Sequence, residues 1–92
     1  MKQLLWYLLA GTRGGETRCM IIAHLVKKPS NANQLTTALK LDYKTIRHHL
    51  DVLEKNRIIM PINKGGYGAV FFLTPEFEAV KGVFESIWTN VE

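Results

Sequence analysis

The stretch Asp42–Lys55, DYKTIRHHLDVLEK, has the periodicity of a single helix with two unlike faces. At about 100° per residue, its apolar stripe consists of Ile46, His49, Leu50 and Leu53. The opposite face consists of Lys44, His48, Asp51 and Lys55, with Arg47 beside them. An apolar face combined with cations over the first two turns suits a helix that lies in the DNA major groove. Taken alone, the same pattern is more often a solvated face on an ordinary amphipathic helix. The segments before and after the stretch must therefore decide between the two interpretations.

The segment before this stretch predicts a short helix and a tight turn. Asn31-Ala32-Asn33-Gln34 has the form of a capping box, in which Asn31 accepts from the Gln34 backbone and the Gln34 side chain reaches back. A helix over about 32–39 follows. Lys40-Leu41-Asp42 is then a turn, and Asp42 is placed to cap the next helix. Two short helices joined by so tight a turn predict a helix-turn-helix over 31–56.

The segment after the stretch changes from helical to strand character. Residues 58–63 and 69–73 are predicted strands, and Pro61 favours an edge position for the first. The glycine-rich turn 64–68 joins them into a β-hairpin. A hairpin directly after a helix-turn-helix is a wing, predicted over 58–73. Lys64 and Tyr67 at its tip would suit a DNA phosphate or the minor groove.

Apolar helices are predicted at both ends of the chain. Residues 2–10 are apolar nearly all round, and a second helix runs over about 15–27. Thr74, Pro75 and Glu76 open a last helix whose apolar residues follow a heptad spacing. Segments 1–11 and 75–92 are therefore predicted dimerisation helices. The predicted dimer-interface residues are Leu5, Leu8, Phe77, Val80, Phe84, Ile87, Trp88 and Val91.

Length and charge agree with one small basic domain. The chain has 92 residues, 47% of them hydrophobic, which is more apolar surface than so small a domain needs and favours a dimer. Residues 1–72 carry a charge balance of +7, whereas residues 73–92 carry −3. The basic part is where an anionic polymer would dock. The predicted fold class is mainly α with a small β-hairpin, a winged helix-turn-helix with extra N- and C-terminal dimerisation helices in a single domain, 1–92.

Three segments together resemble the ArsR-like winged-helix transcription regulators of archaea and bacteria. They are 17–25 (TRCMIIAHL), 33–39 (NQLTTAL) and 45–54 (TIRHHLDVLE), and the resemblance spans about 12–73. It implies a homodimer, held by the terminal helices, that presents two recognition helices to double-stranded DNA. Metal-sensing members carry a Cys-x-Cys pair before the turn or His and acid ligands on the last helix. The chain has neither, so no metal and no cofactor are predicted.

The predicted DNA contacts lie in the first half of the recognition helix and in the wing. Arg47 could fork onto guanine O6 and N7, and Lys44 fits a base edge or a phosphate. His48 donates to phosphate most strongly when protonated, so binding is expected to tighten at mildly acidic pH. Tyr43 and Thr45 would bond phosphates, with capping and packing an equal alternative. The predicted DNA-binding set is Tyr43, Lys44, Thr45, Arg47, His48, Lys64 and Tyr67.

Several residues have a structural interpretation. His49 is predicted to be a packed core histidine, and Cys19 a buried hydrophobe, with a redox-sensing thiol as the weaker option. Relatives usually have Gly directly after the recognition helix, where this chain has Asn56 and Arg57, and Asn56 is expected to take the left-handed cap. Trp6, Tyr7 and Trp88 belong to dimer packing or, as a weaker alternative, to a ligand pocket.

Three functional hypotheses remain open. The leading one is a sequence-specific, DNA-binding homodimeric transcription regulator. The others are a winged-helix module that binds an acidic protein and a non-specific DNA architectural protein. No nucleophile–base pair or nucleotide loop supports an enzyme. With one cysteine, the chain suits a reducing cytoplasm, and its apolar start is too short to span a bilayer. A small-molecule effector is left open.

Overall fold

A computed structural model describes residues 1–63 and 68–91 of the chain. Its helices are α1 (Lys2–Ala10), α2 (Gly15–Lys27), α3 (Ala32–Leu39), α4 (Tyr43–Lys55), α5 (Pro75–Glu78) and α6 (Lys81–Val91). Its strands are β1 (Ser30–Asn31), β2 (Ile59–Ile62) and β3 (Val70–Leu73). Residues 64–67 of the predicted wing turn 64–68, with Lys64 and Tyr67, lie outside the described residues. In the part of the chain that the structure describes, no helix is long and apolar enough to cross a membrane.

The helix-turn-helix is built from local hydrogen bonds that the sequence predicted. Asn31 Oδ1 accepts from Gln34 N at 2.7 Å, and Gln34 Oε1 accepts from Asn31 N at 2.8 Å, so the capping box is confirmed. Asp42 caps α4 by accepting from Thr45 N at 3.1 Å. Lys40 adopts a left-handed backbone with φ 58°, which ends α3 and turns the chain toward α4. The short turn therefore fixes the angle between the two helices.

The predicted hairpin is part of a three-stranded antiparallel sheet with the order β1-β3-β2. Strands β2 and β3 pair over Ile59↔Leu73 to Ile62↔Val70. The two residues of β1 also pair with β3, through Ser30↔Phe71 and Asn31↔Val70. Strand β1 is not predicted from the sequence, because two residues are too few to show an alternating pattern. This strand joins the start of the helix-turn-helix to the wing.

All the helices and the sheet contribute to the hydrophobic core, and α4 contributes through its inner face. Ile46, Leu50 and Leu53 of α4 have no exposed surface, as predicted for the apolar stripe. They share one cluster with Ile21 and Ile22 of α2. Helix α4 thus packs on the core through its inner face, and its outer face is turned to solvent.

The last helix differs from the continuous one that its heptad pattern predicted. It is divided into α5 and α6, with Ala79 and Val80 between them. Val80 N donates to Phe77 O and Val83 N to Val80 O, both at 2.9 Å. These bonds span three residues instead of four, so the backbone tightens between α5 and α6.

The end of α4 requires one correction. Asn56 has φ −95°, and Arg57 takes the left-handed conformation with φ 61°. Ile58 N donates to Leu53 O at 2.9 Å and Arg57 N to Glu54 O at 3.0 Å, which is the Schellman pattern. The expectation of a left-handed cap at Asn56 is therefore wrong. Its side chain instead donates to Val52 O at 2.8 Å, which holds it in the last turn of the helix.

Most of the residues predicted for the dimer interface lie inside the protomer's own core. Leu5, Phe77 and Ile87 have no exposed surface, Phe84 has 3% and Leu8 has 7%. Val80 and Trp88 are half-buried. Helix α1 instead exposes two large side chains on its outer face, Trp6 at 46% and Tyr7 at 61%. The burial of the five predicted interface residues that lie in the core therefore stabilises the single chain.

Candidate nucleic-acid interface

Five of the seven predicted DNA-contact residues lie on α4, and three of these five are exposed to solvent. Lys44 and His48 are exposed, and Tyr43 is 49% exposed. Thr45 and Arg47 are half-buried. All five lie in the first two turns of the helix, which is the part that enters the groove in helix-turn-helix proteins. The structure therefore brings these five residues together.

Thr45 takes part in the cap of the helix. Its hydroxyl donates to Asp42 Oδ1 at 2.6 Å, while its backbone N–H donates to Asp42 Oδ2. These two hydrogen bonds from Thr45 lower the pKa of the Asp42 carboxyl below its usual range. The capping alternative for Thr45 is thus confirmed. Its hydroxyl proton is engaged, which leaves the oxygen's lone pairs as acceptors and weakens the case for a donated bond to phosphate.

Arg47 lies between its own helix and the wing. Its Nη2 and Nε donate to Asp51 Oδ1 at 3.0 Å and 3.3 Å. Its guanidinium carbon is 5.5 Å from the centre of the Phe71 ring, in cation–π range. Partial burial acts to lower the pKa of Arg47, but the hydrogen bonds and charge of Asp51, with a smaller contribution from Tyr43, raise it. Arg47 is therefore a fixed cation, held at the junction of α4 and β3.

A small cleft connects α3, α4 and the base of the wing beside Arg47. Its volume is about 100 Å³, and it is lined by Asn31, Ala32, Asn33, Tyr43, Arg47, Gly68 and Ala69. Asn33 is exposed and adds an amide to the surface formed by Tyr43 and Arg47. Asn33 is not among the DNA-contact residues predicted from the sequence. Three distant segments form the cleft, and no local pattern connects them.

His49 lies on the inner face of α4, where its ring meets the ring of His48 edge to face, with the ring centroids 5.1 Å apart. Its side chain is 8% exposed and its Nδ1 accepts from Arg18 Nη1 at 3.2 Å, so the prediction of a packed, hydrogen-bonded histidine is confirmed. Burial lowers the pKa of His49, and the nearby Arg18 and His48 lower it further. The ring of His49 is neutral and buried, whereas the ring of His48 is exposed, so the two neighbouring histidines have different roles.

Cys19 is fully buried, as expected for a small hydrophobe. Burial is the main cause that raises the pKa of its thiol to about 11. A thiol with that pKa is almost entirely protonated near neutral pH, and the thiolate is the reactive form. The placement of Cys19 therefore argues against the redox-sensing alternative.

Comparison with known proteins agrees with this geometry. The family model described as bacterial regulatory protein, arsR family, matches residues 15–60, which is half of the chain. The matched segment contains α2, α3, α4 and the start of β2. This chain belongs to the arsR family of bacterial regulatory proteins. No curated protein matches the sequence.

Solved structures of similar fold are also regulators by their descriptions. The transcriptional regulator PA3341 is 18% identical, with a TM-score of 0.69 over 98% of this chain and 69% of its own. A probable transcriptional regulator from Pseudomonas aeruginosa is also 18% identical, with a TM-score of 0.64 over 99% of this chain and 76% of its own. At this identity the likeness concerns the fold. Together with the family match, it confirms the winged helix-turn-helix fold class.

Proposed function

We propose that this arsR-family chain is a homodimeric transcription regulator that binds double-stranded DNA in a sequence-specific manner. Helix α4 would lie in the major groove, and the wing turn 63–68 would contact the backbone or the minor groove. Lys44, Arg47 and His48 would contact base edges and phosphates, with Tyr43 and Thr45 at the helix start. Lys64 and Tyr67 would supply the contacts of the wing.

One observation carries this proposal: α4 has a fully buried inner face and a cationic outer face over the same two turns. Ile46 and Leu50 have no exposed surface, whereas Lys44 and His48 are exposed. The inner packing fixes the direction of the outer side chains before any partner binds, and such preorganisation lowers the entropic cost of binding. Farther along the helix, the exposed Asp51 makes the face less attractive to phosphates.

The homodimer is supported by the outer face of α1. Trp6 and Tyr7 are large and exposed, and α1 packs beside α6, where Trp88 is half-buried. A second copy that covers these side chains would bury aromatic surface that contacts only solvent in the protomer. The proposed interface therefore consists of Trp6 and Tyr7, which the sequence also assigned to dimer packing, together with Val80 and Trp88. Two copies would then present two α4 helices to one duplex.

A binding-site selection from random duplexes, followed by a salt titration, tests the proposed function. If about six phosphates are contacted, the logarithm of the binding constant should fall with the logarithm of salt concentration with a slope near −5. The selected site should bind at least about a thousandfold more tightly than random duplex. Equal affinity for all duplexes would favour an architectural protein. Absence of binding at low salt would contradict both DNA functions and favour a module for an acidic protein.

A further inference from the structure

The loop 11–14, between α1 and α2, packs against one side of helix α4. A Cβ added at Gly14 would lie only 2.7 Å from His49 Cε1, so the glycine backbone lies directly on the imidazole ring. The buried Arg18 holds this contact, because its Nη2 donates to Arg13 O at 3.1 Å and its Nη1 to His49 Nδ1 at 3.2 Å. The loop therefore has a set position beside α4.

The wing packs against the opposite side of the same helix. The guanidinium of Arg47 lies 5.5 Å from the centre of the Phe71 ring in β3. Residues two apart in an α-helix point about 160° away from each other around its axis, because each turn holds about 3.6 residues. Arg47 and His49 are two apart, so the wing and the loop 11–14 lie on opposite sides of α4.

Arg13 adds a cation to the loop side of α4. Its side chain is exposed, and among the residues that the structure describes no carboxylate forms an ion pair with it. Consecutive Cα atoms are about 3.8 Å apart, so the Cα of Arg13 lies within about 8 Å of the His49 ring. The exposed Glu16, in the first turn of α2, offsets part of this charge without pairing with Arg13. Arg13 is therefore an available cation close to the exposed His48, whose ring contacts that of His49.

The width of the DNA major groove matches this arrangement. The groove is about 12 Å wide and a helix with its side chains is about 10–12 Å across, so a helix in the groove fills the space between the two phosphate walls. Elements on the two sides of the helix then meet the two walls. With the wing at one wall, the loop 11–14 lies at the other, where the guanidinium of Arg13 has the charge and the donors to bind a phosphate.

We infer that Arg13 is a phosphate-contact residue of the proposed DNA-binding surface and binds the backbone on the wall of the major groove opposite the wing. The inference rests on the proposed function, and Arg13 lies outside the contact set predicted from the sequence. No sequence pattern signals this role, because Arg13 and α4 are far apart in the chain. The contact fixes α4 in the groove from its second side and carries no base specificity.

The variants Arg13→Gln and Arg13→Lys test the inference, with Lys81→Gln as the control. Lys81 begins α6, which packs on α1 and α2, and its substitution makes the same change in net charge as Arg13→Gln. Arg18 binds the backbone carbonyl of residue 13, so the substitutions leave the loop contact in place. Dissociation constants are measured over a range of salt concentrations for the selected duplex and for a scrambled duplex of the same length and composition.

Loss of one phosphate contact should weaken both duplexes alike. At about 0.1 M salt, Arg13→Gln should weaken binding to each by about three- to tenfold and make the salt slope shallower by about 0.9. Arg13→Lys keeps the charge and should stay within about twofold of the wild type, and Lys81→Gln should change affinity by less than about twofold. When the phosphates of the selected duplex are replaced one at a time by neutral methylphosphonates, the effect of Arg13→Gln should vanish at one position, because the contact is then already broken.

The replaced phosphate should lie across the major groove from the one at which the effect of Lys64→Ala vanishes. A phosphate on the same wall would overturn the inference. So would an effect of Arg13→Gln that is no larger than that of Lys81→Gln, that is confined to the selected duplex, or that Arg13→Lys reproduces in full. In each of these cases the wild type still binds its selected duplex, so the proposed function stands. A wild type that binds no duplex at low salt contradicts the proposed function, and the inference with it.

Discussion

Arg18 Nη1 lies 3.2 Å from His49 Nδ1 and joins α2 to the inner side of α4. Arg18 is only 4% exposed, and burial lowers the pKa of its guanidinium. The same side chain donates to Leu8 O at 2.9 Å, to Thr12 Oγ1 at 2.6 Å and to Arg13 O at 3.1 Å. Leu8 O belongs to the last turn of α1, where the helix dipole favours a cation. One guanidinium therefore connects α1, the following loop and α4.

Replacement of Arg18 by Met is expected to destabilise the protein strongly. Met fills a similar volume but leaves the Nδ1 of His49 without its donor, and it removes one of the two side-chain donors to the carbonyl of Leu8. An unsatisfied buried polar group costs about 1–3 kcal/mol, so the free energy of unfolding should fall by at least about 2 kcal/mol. Urea denaturation followed by circular dichroism measures the change. Arg13→Met, at an exposed position in the loop before α2, should lower the free energy of unfolding by less than about 0.5 kcal/mol. Equal effects of the two substitutions would show that the buried network adds nothing.

The state of His49 predicts how stability depends on pH. Because Nδ1 accepts from Arg18, the ring must be neutral, and burial lowers its pKa below the ordinary 6.5. Below pH 6.5 the unfolded chain binds a proton at this residue that the folded chain does not. The contribution of the neutral His49 ring to the free energy of unfolding is therefore fully present above that pH. It is lost as the pH falls toward the lowered pKa of the folded state. Denaturation midpoints measured between pH 7.5 and about 5 should decline.

A matched pair of variants assigns this decline to one ring. His49→Gln keeps an acceptor for Arg18 but removes the titrating group, so its midpoint should vary less with pH than that of the wild type. His48→Gln removes the exposed neighbour and should keep the decline. A His49→Gln protein with the wild-type pH dependence would contradict the assignment.

Arg57 stores backbone strain that glycine would relieve. Its φ of 61° is left-handed, and a side chain there costs about 1–2 kcal/mol. Its side chain is exposed, so its removal disrupts no core packing. Arg57→Gly should raise the free energy of unfolding by about 1 kcal/mol, after the entropy of a more flexible unfolded chain is subtracted. Asn56→Gly, where φ is −95°, is the control and should lower stability. If Asn56→Gly instead raised the free energy of unfolding, the assignment of the left-handed cap to Arg57 would be wrong.

The features that the sequence predicted well depend on residues close together in the chain. The bonds Asn31–Gln34 and Asp42–Thr45 span three residues, and the inner stripe of α4 repeats every three or four. The features that it missed join distant residues. Arg18 bonds His49 and Arg47 stacks on Phe71, contacts that no spacing rule signals. Burial of the terminal helices' apolar residues was also foreseen, but the heptad pattern does not show whether their own chain or a second one covers them.

Substitution of exposed residues in the terminal helices should affect the proposed dimer, whereas substitution of buried residues should affect folding of the protomer. Trp6→Ala with Tyr7→Ala removes exposed aromatic surface and should weaken the proposed dimer by at least about tenfold, with little change in protomer stability. Sedimentation velocity over a range of concentrations measures this. Phe84→Asp places a charge at a site only 3% exposed and should unfold the protomer. Folded monomers from Phe84→Asp would instead place Phe84 at the interface, and a monomeric wild type would contradict the homodimer.

Arg47 and Lys64 should affect DNA binding in different ways. Arg47→Ala removes the guanidinium that is proposed to contact a base edge, so affinity for the selected site should fall by about 1–3 kcal/mol and the preference at one position of the site should relax. Lys64→Ala removes a cation from the proposed wing contact, so all duplexes should be weakened alike and the salt slope should become shallower by about 1. Selection profiles and salt titrations of both variants make the comparison. Because Arg47 also stacks on Phe71, thermal melts of the free variants are needed to show that the wing remains folded. A selection profile unchanged by Arg47→Ala in a folded protein would contradict direct base contact and leave Arg47 as a structural link between α4 and the wing.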